Sequence, residues 1–304
     1  MTPGVRAIVH APPERLGLFR WAVGTFLVLY LLGRAPLDVA TSAHPTAQFA
    51  PVGLPAWLGL EAPLPFALTG LSYLLTLLAA LAFTVGVHFN ITGPLCALGV
   101  LWVTSYKSSF GMVFHSENLL TLQVLLLACS PAAQAVSLDG RQGRRSWFRS
   151  VPSGWPLMAC CLLTILAYLL AGIAKLKLSG VDFMTGEVLR VQIAYDNLRK
   201  IEFGSLYAPL GVWSLSVPAL FPVLGTLTLI AELGGVCALL HPRAALAWAL
   251  LVVGFHVGVL ALMAITFAYP LSTVPFLCFF ALERFSLSQR WVQAWLPKRA
   301  PAPP

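Results

Sequence analysis

The sequence predicts an all-α, polytopic integral membrane helical bundle of about eight transmembrane helices, and three observations lead to that class. Its 304 residues are 58% hydrophobic and only 10% charged, against roughly one-quarter charged residues in a soluble domain. Apolar runs long enough to cross about 30 Å of hydrocarbon recur along the whole length, which leaves no room for a sizeable soluble domain. The arginines and lysines behind the formal net charge of +8 gather in a few loops and at the C-terminus, so the charge reports orientation first. No basic run interleaved with aromatic residues suggests a nucleic-acid surface, and the partner that composition implies is the lipid bilayer.

Taken in order, residues 1–15 form a short, weakly basic segment expected in the cytoplasm. The first apolar run, Leu16 to Leu32, carries Arg20 at its start. It has the look of a signal peptide, but the small residues around Ala40 to Ala43 lie well past it, which favours a retained helix. Arg34 to Pro65 reads as a proline-rich, partly interfacial connection holding Trp57. A second span covers about Phe66 to Val87. A connection through His88, Asn90 and Gly93-Pro94 leads to a third ending near Tyr106. The fourth, Leu119 to Cys129, is opened by the polar segment from Tyr106 to Asn118. Ser137 to Pro156, with Arg141, Arg144, Arg145 and Arg149 against one Asp139, is the clearest cytoplasmic loop.

The fifth span runs from about Trp155 to Leu178. Val181 to Tyr207 mixes both signs of charge and reads as an ordered extracytoplasmic loop, part of it an amphipathic helix. The sixth span covers about Leu220 to Leu240. His241-Pro242-Arg243 forms a cytoplasmic turn, and the seventh span covers Ala244 to Ala268. The basic residues after Leu282 also belong inside, which requires an eighth, short crossing over Leu271 to Leu282 and leaves 286–304 as a basic cytoplasmic tail. Both termini are then cytoplasmic.

Cys96, Cys129, Cys160, Cys161, Cys237 and Cys278 all sit in apolar runs, with no metal-type spacing, so they read as small core residues, and no metal site is expected. The residues that need explaining are charges within apolar segments. Lys175 shares a helix face with Gly172, Ala171 and Tyr168. It is either an interfacial anchor or a base that burial drives toward neutrality. Glu232, with Thr228 and Gly225 on its face, is either a polar bolt between helices or a functional carboxylate. His256 is either a satisfied core residue or part of the same site. Under this topology His115, Glu117, Asn118, Lys175, Asp182 and Lys107 collect at the extracytoplasmic membrane face, with Glu232 and His256 in the helices below.

At these residues the chain resembles the HTTM (horizontally transferred transmembrane) domain family, the membrane domain of vitamin K-dependent gamma-carboxylase. The resemblance rests on Leu18-Phe19-Arg20-Trp21-Ala22-Val23-Gly24, on Lys107-Ser108-Ser109 followed by Phe114-His115-Ser116, and on Tyr168-Leu169-Leu170-Ala171-Gly172-Ile173-Ala174-Lys175-Leu176. It continues through Phe183-Met184-Thr185-Gly186, Glu232-Leu233 and Phe255-His256, so that an HTTM-like domain over 16–285 is expected. Phe114 stands where the family has asparagine, and Phe183 where it has tryptophan. The resemblance does not extend to the carboxylases' large lumenal C-terminal region.

The resemblance implies that Lys175 is the base that deprotonates reduced vitamin K or a similar menaquinol, with His115 supporting the site. Oxygen addition then yields a quinone epoxide and a stronger base, which takes a proton from the gamma carbon of a glutamate before carbon dioxide adds. Supporting or quinol-binding roles fall to Lys107, Glu117, Asn118, Tyr168, Asp182, Glu232 and His256. The expected class is thus a lyase-type carboxylase and quinol epoxidase in the plasma (inner) membrane, facing the extracytoplasmic side. Two alternatives stay open: a membrane protein that assists maturation of a secreted peptide or toxin or engages a separate soluble partner domain, and a proton-coupled transporter using Glu232 and His256.

Overall fold

The computed structural model describes residues 1–111, 117–144, 146–148 and 150–295, and among these it contains helices and no strand. Contacts divide the chain into two units, one built from residues 1–6 and 161–279, the other from 7–160 and 280–304. Five helical stretches are long and apolar enough to cross a membrane: Pro13–Ala43, Phe66–Val85, Gly154–Thr185, Leu220–Leu239 and Pro242–Met263.

A short helix, α1 (Pro3–Val9), shared between the units, precedes α2 (Pro13–Ala40) of the larger unit, which continues well beyond the expected end at Leu32. Pro36 sits inside it. Pro36 removes the amide that would bond the Leu32 carbonyl, and the neighbouring Leu31 carbonyl accepts the Tyr73 hydroxyl at 2.8 Å. Arg34 and Asp38 add an i,i+4 ion pair of 3.1 Å across the same stretch. The proline-rich connection therefore begins only after Ala43 and holds the single-turn helix α3 (Leu54–Trp57).

Helix α4 (Phe66–Val85) ends at Gly86, left-handed at φ 66°, and α5 (Phe89–Ser108) follows at once. Gly93 and Pro94 lie within α5 and not in the connection. The helix starts earlier because Asp139, from a distant loop, accepts the His88 amide at 2.9 Å and the Phe89 amide at 2.6 Å, satisfying two donors of the first turn. Gly99 lets α5 close on Thr76 of α4; a Cβ there would lie 2.7 Å from the threonine hydroxyl. Helix α6 (Asn118–Ala128) has 11 residues, about 16 Å of helix, half the hydrocarbon thickness.

Ser137 caps the short α7 (Leu138–Arg141) by accepting the Gly140 amide at 2.7 Å. Arg20, fully buried in α2, donates to the carbonyls of Ala132 and Val136 at 3.2 and 2.6 Å and lies over the Phe89 ring. Burying a guanidinium in this way ties the loop before α7 to the first span.

Helix α8 (Gly154–Ser179) belongs partly to each unit. In the smaller unit a 3₁₀ segment, Gly180–Thr185, ends at Gly186 with φ 80°, where a Cβ would collide with the Phe221 backbone. Then come α9 (Glu187–Glu202), the amphipathic helix expected in this loop, α10 (Pro209–Ser214), and α11 (Leu220–Leu233), prolonged by a 3₁₀ turn to Leu239. Helix α12 (Pro242–Met263) stops at Ala264, left-handed at φ 49°, short of the expected Ala268.

In place of one helix over Leu271 to Leu282 the chain forms α13 (Ala268–Leu271) and a 3₁₀ segment, Val274–Phe279. Pro270, Pro275 and a left-handed Thr273 at φ 66° break the helical hydrogen-bond ladder there. The chain returns to the larger unit with α14 (Ser286–Trp295), a structured element where only a basic tail was expected. Just before it, Glu283 accepts from Arg15 through both oxygens, at 2.9 and 2.7 Å.

Candidate functional site

In the smaller unit Gly172, on the same helix face as Lys175, marks a close helix contact. A Cβ on Gly172 of α8 would lie 2.7 Å from the Leu233 side chain and 3.1 Å from Glu232 Cβ, so its absence lets α8 and α11 approach. One turn further along α8, Lys175 Nζ reaches Glu232 Oε1 at 2.5 Å. The lysine side chain is 29% exposed and the glutamate 3%, so the pair has one open end and one closed end. Glu232 Oε2 is buried with no hydrogen-bond partner among the described residues. Lys175 is thus held by a carboxylate, where the sequence left it either an interfacial anchor or a buried base.

Phe183, itself buried, stands with its ring centroid 5.9 Å from Nζ. Gly225 makes room for it, since the Phe183 carbonyl lies 2.5 Å from where a Cβ would be. Two turns before Lys175, Tyr168 Oη meets His256 Nε2 at 2.9 Å, both groups buried. His256 Nδ1 has no partner among the described residues. Trp248 packs edge-on against Tyr168 and donates its indole N–H to the Ala231 carbonyl at 2.8 Å, fixing α12 on α11 next to Glu232. The same unit holds an apolar cavity of about 310 Å³ lined by Ile193, Leu224, Thr228, Phe255 and Leu262 among others; Thr228 lies one turn before Glu232, and Phe255 adjoins His256 in the chain.

The larger unit holds a second buried constellation. Lys107 forms an ion pair with Glu117, and Tyr30 donates its hydroxyl to the same carboxylate oxygen. All three border a small internal space with Asp38, whose partner is Arg34. Charges buried this deeply require such pairing. Outside the spanning segments, burial pushes the Glu283 carboxyl upward, but hydrogen bonds from Arg15 and from its own backbone amide outweigh this and hold it below its ordinary value.

Of the residues singled out in the sequence, the structure joins Lys175 to Glu232, Tyr168 to His256 and Lys107 to Glu117. Asn118 and Asp182 are exposed, and Asp182 makes no ion pair among the described residues. His115 and Phe114 lie outside the described residues. Tyr30, Arg34 and Asp38 went unnoticed as site residues. The signal was present in the i,i+4 spacing of two opposite charges at the end of an apolar run.

Five helices of spanning length, two of them joined by the Lys175–Glu232 pair, define a multi-pass membrane protein. The HTTM domain profile matches residues 10–285, and the chain belongs to the HTTM domain family. No curated protein and no solved structure matches it.

Proposed function

We propose that this protein is a quinol-using HTTM enzyme of the vitamin K-dependent gamma-carboxylase type, with the Lys175–Glu232 pair as its acid–base unit. The observation that carries this reading is the 2.5 Å pair between α8 and α11, whose second carboxylate oxygen is buried without a hydrogen-bond partner among the described residues. The group implied by the family resemblance is a reduced quinone, with oxygen and carbon dioxide as co-substrates. The residues present fit it. A phenolic hydroxyl needs an acceptor for its proton and a cation beside its oxygen, and Glu232 and Lys175 are one of each. Phe183 adds a flat apolar neighbour, and the apolar cavity of the same unit suits an aliphatic tail.

When bound, the reduced quinone together with oxygen supplies the strong base for proton removal from carbon. The chain's own residues do the rest. Lys175 donates to the hydroxyl oxygen and steadies negative charge on it. Glu232 accepts and holds a proton at Oε2. The Tyr168–His256 pair and Trp248 keep α8, α11 and α12 in register around them. The resemblance implies a supporting role for His115, which lies outside the described residues.

In the same reading the site faces the extracytoplasmic side of the plasma membrane and both termini are cytoplasmic. The count of eight crossings includes α6 and the broken segment 268–282. Reporter fusions after residues 144 and 204 test the orientation, which fails if both report the same side.

The enzyme assay supplies purified protein with menaquinol, oxygen and bicarbonate and measures quinone epoxide. Wild type should form epoxide and Lys175→Ala should not; no epoxide from wild type, or an unchanged yield from the variant, refutes the proposal. A second reading, a docking protein for a secreted peptide or soluble partner, draws on α9. Val191, Tyr195 and Leu198 form an exposed apolar stripe at i, i+4 and i+7 there, continued by Phe203 and Leu206. Crosslinking from Tyr195 that recovers no protein partner counts against it.

A further inference from the structure

A cavity of about 450 Å³ lies wholly within the larger unit, where the start of α2, the turn around α7 and α14 meet. Its lining carries both signs of charge. Glu14 is half-buried and Arg141 exposed, and neither forms an ion pair among the described residues. Arg144 is held 3.5 Å from Asp139. That carboxylate already accepts two backbone amides, so the guanidinium keeps most of its donors. Counted with Asp139, the charges of the described residues here sum to zero, and Glu14 and Arg141 are left without an ion-pair partner among them. A purely anionic ligand would meet Glu14 unfavourably, and a simple amine would leave Arg141 unused. A phosphate carrying a primary ammonium uses both.

The rim places this cavity at a bilayer surface. Trp21 packs against Trp291 edge-on at 4.8 Å and against Trp295 at 5.7 Å. Its indole N–H donates to the carbonyl of Val136 at 2.8 Å, and Val136 and Trp295 line the cavity. Leu287, Trp291 and Trp295 recur every four residues along α14, and Leu287 and Trp291 remain exposed. Clustered indoles with one polar end, beside an amphipathic helix, are the side chains that settle at headgroup depth. We propose that this cavity holds the phosphoethanolamine headgroup of a membrane lipid, with the phosphate on Arg141 and Arg144 and the ammonium on Glu14.

The test is native mass spectrometry of the full chain after mild delipidation from vesicles holding equal parts phosphatidylethanolamine, phosphatidylglycerol and phosphatidylcholine. Phosphatidylethanolamine should be retained about five-fold over each of the others, the preference one partly exposed charge contact supplies. Glu14→Gln should abolish that preference by lowering phosphatidylethanolamine retention and raising that of anionic phosphatidylglycerol, and Arg141→Ala should lower retention of every phospholipid. Both positions reach solvent, so unfolding temperatures should match wild type and separate lost binding from lost fold. Equal or stronger retention of phosphatidylglycerol, indifference to both substitutions, or displacement of the lipid by inorganic phosphate would overturn the assignment.

Discussion

Removing either partner of the Lys175–Glu232 pair should not cost the same. Glu232 is 3% exposed and already has one oxygen without a hydrogen-bond partner among the described residues, whereas Lys175 is 29% exposed on a flexible stem. Lys175→Met therefore strands a buried carboxylate, a loss of about 3 kcal/mol, at the low end for breaking a buried pair. Glu232→Gln leaves an ammonium that can swing toward the polar surface, and the loss shrinks to about 1 kcal/mol. The double variant Lys175→Met/Glu232→Gln should recover much of the first loss, because no uncompensated charge remains. Reversible unfolding in mixed micelles, followed by tryptophan fluorescence, gives the complete double-mutant cycle. The reasoning fails if Glu232→Gln destabilises as much as Lys175→Met, or if the two losses simply add.

Three further outcomes are expected. Asp139→Ala deprives the His88 and Phe89 amides of their acceptors and should destabilise the protein by about 2 kcal/mol, with Asp139→Asn intermediate, read by the same unfolding assay. The Glu283 carboxyl lies below its ordinary value when folded, so its contribution is complete above the unfolded value and is lost as pH falls through the folded one; melting temperatures of wild type and Glu283→Gln should differ at pH 7 and converge toward pH 3. Gly186→Ala meets both a left-handed φ of 80° and the Phe221 backbone, so folded protein should fall sharply in size-exclusion profiles, while Gly143→Ala, strained at φ 66° but facing open space, should lose far less.

The spans were the legible part of the sequence. Expected and observed limits nearly coincide for α4, for α8 and for the Leu220–Leu239 stretch, because a run of some twenty apolar residues is its own signature. Helix α2 outran its expected end because Arg34, Pro36 and Asp38 look like a loop one residue at a time, yet pair and pack as a helix. The start of α5 was set by a carboxylate fifty residues away, which local patterning cannot report. The same applies to the candidate site. Lys175 and Glu232 could each be picked out as a charge in an apolar segment, but their union depends on how α8 meets α11. Tyr30 carried no charge to attract notice, and only the fold brings it to Glu117.

The capping of α5 by Asp139 also bears on the order of assembly. Chains are made from the N-terminus, so the first turn of α5 emerges well before the residue that completes it. Until the segment after α6 has been synthesised and turned back, the His88 and Phe89 amides have no carboxylate to meet, and that end of the helix stays frayed. Closure of the loop and completion of the helix are then a single event, which makes the arrival of Asp139 a checkpoint in biogenesis as well as a contact in the finished fold.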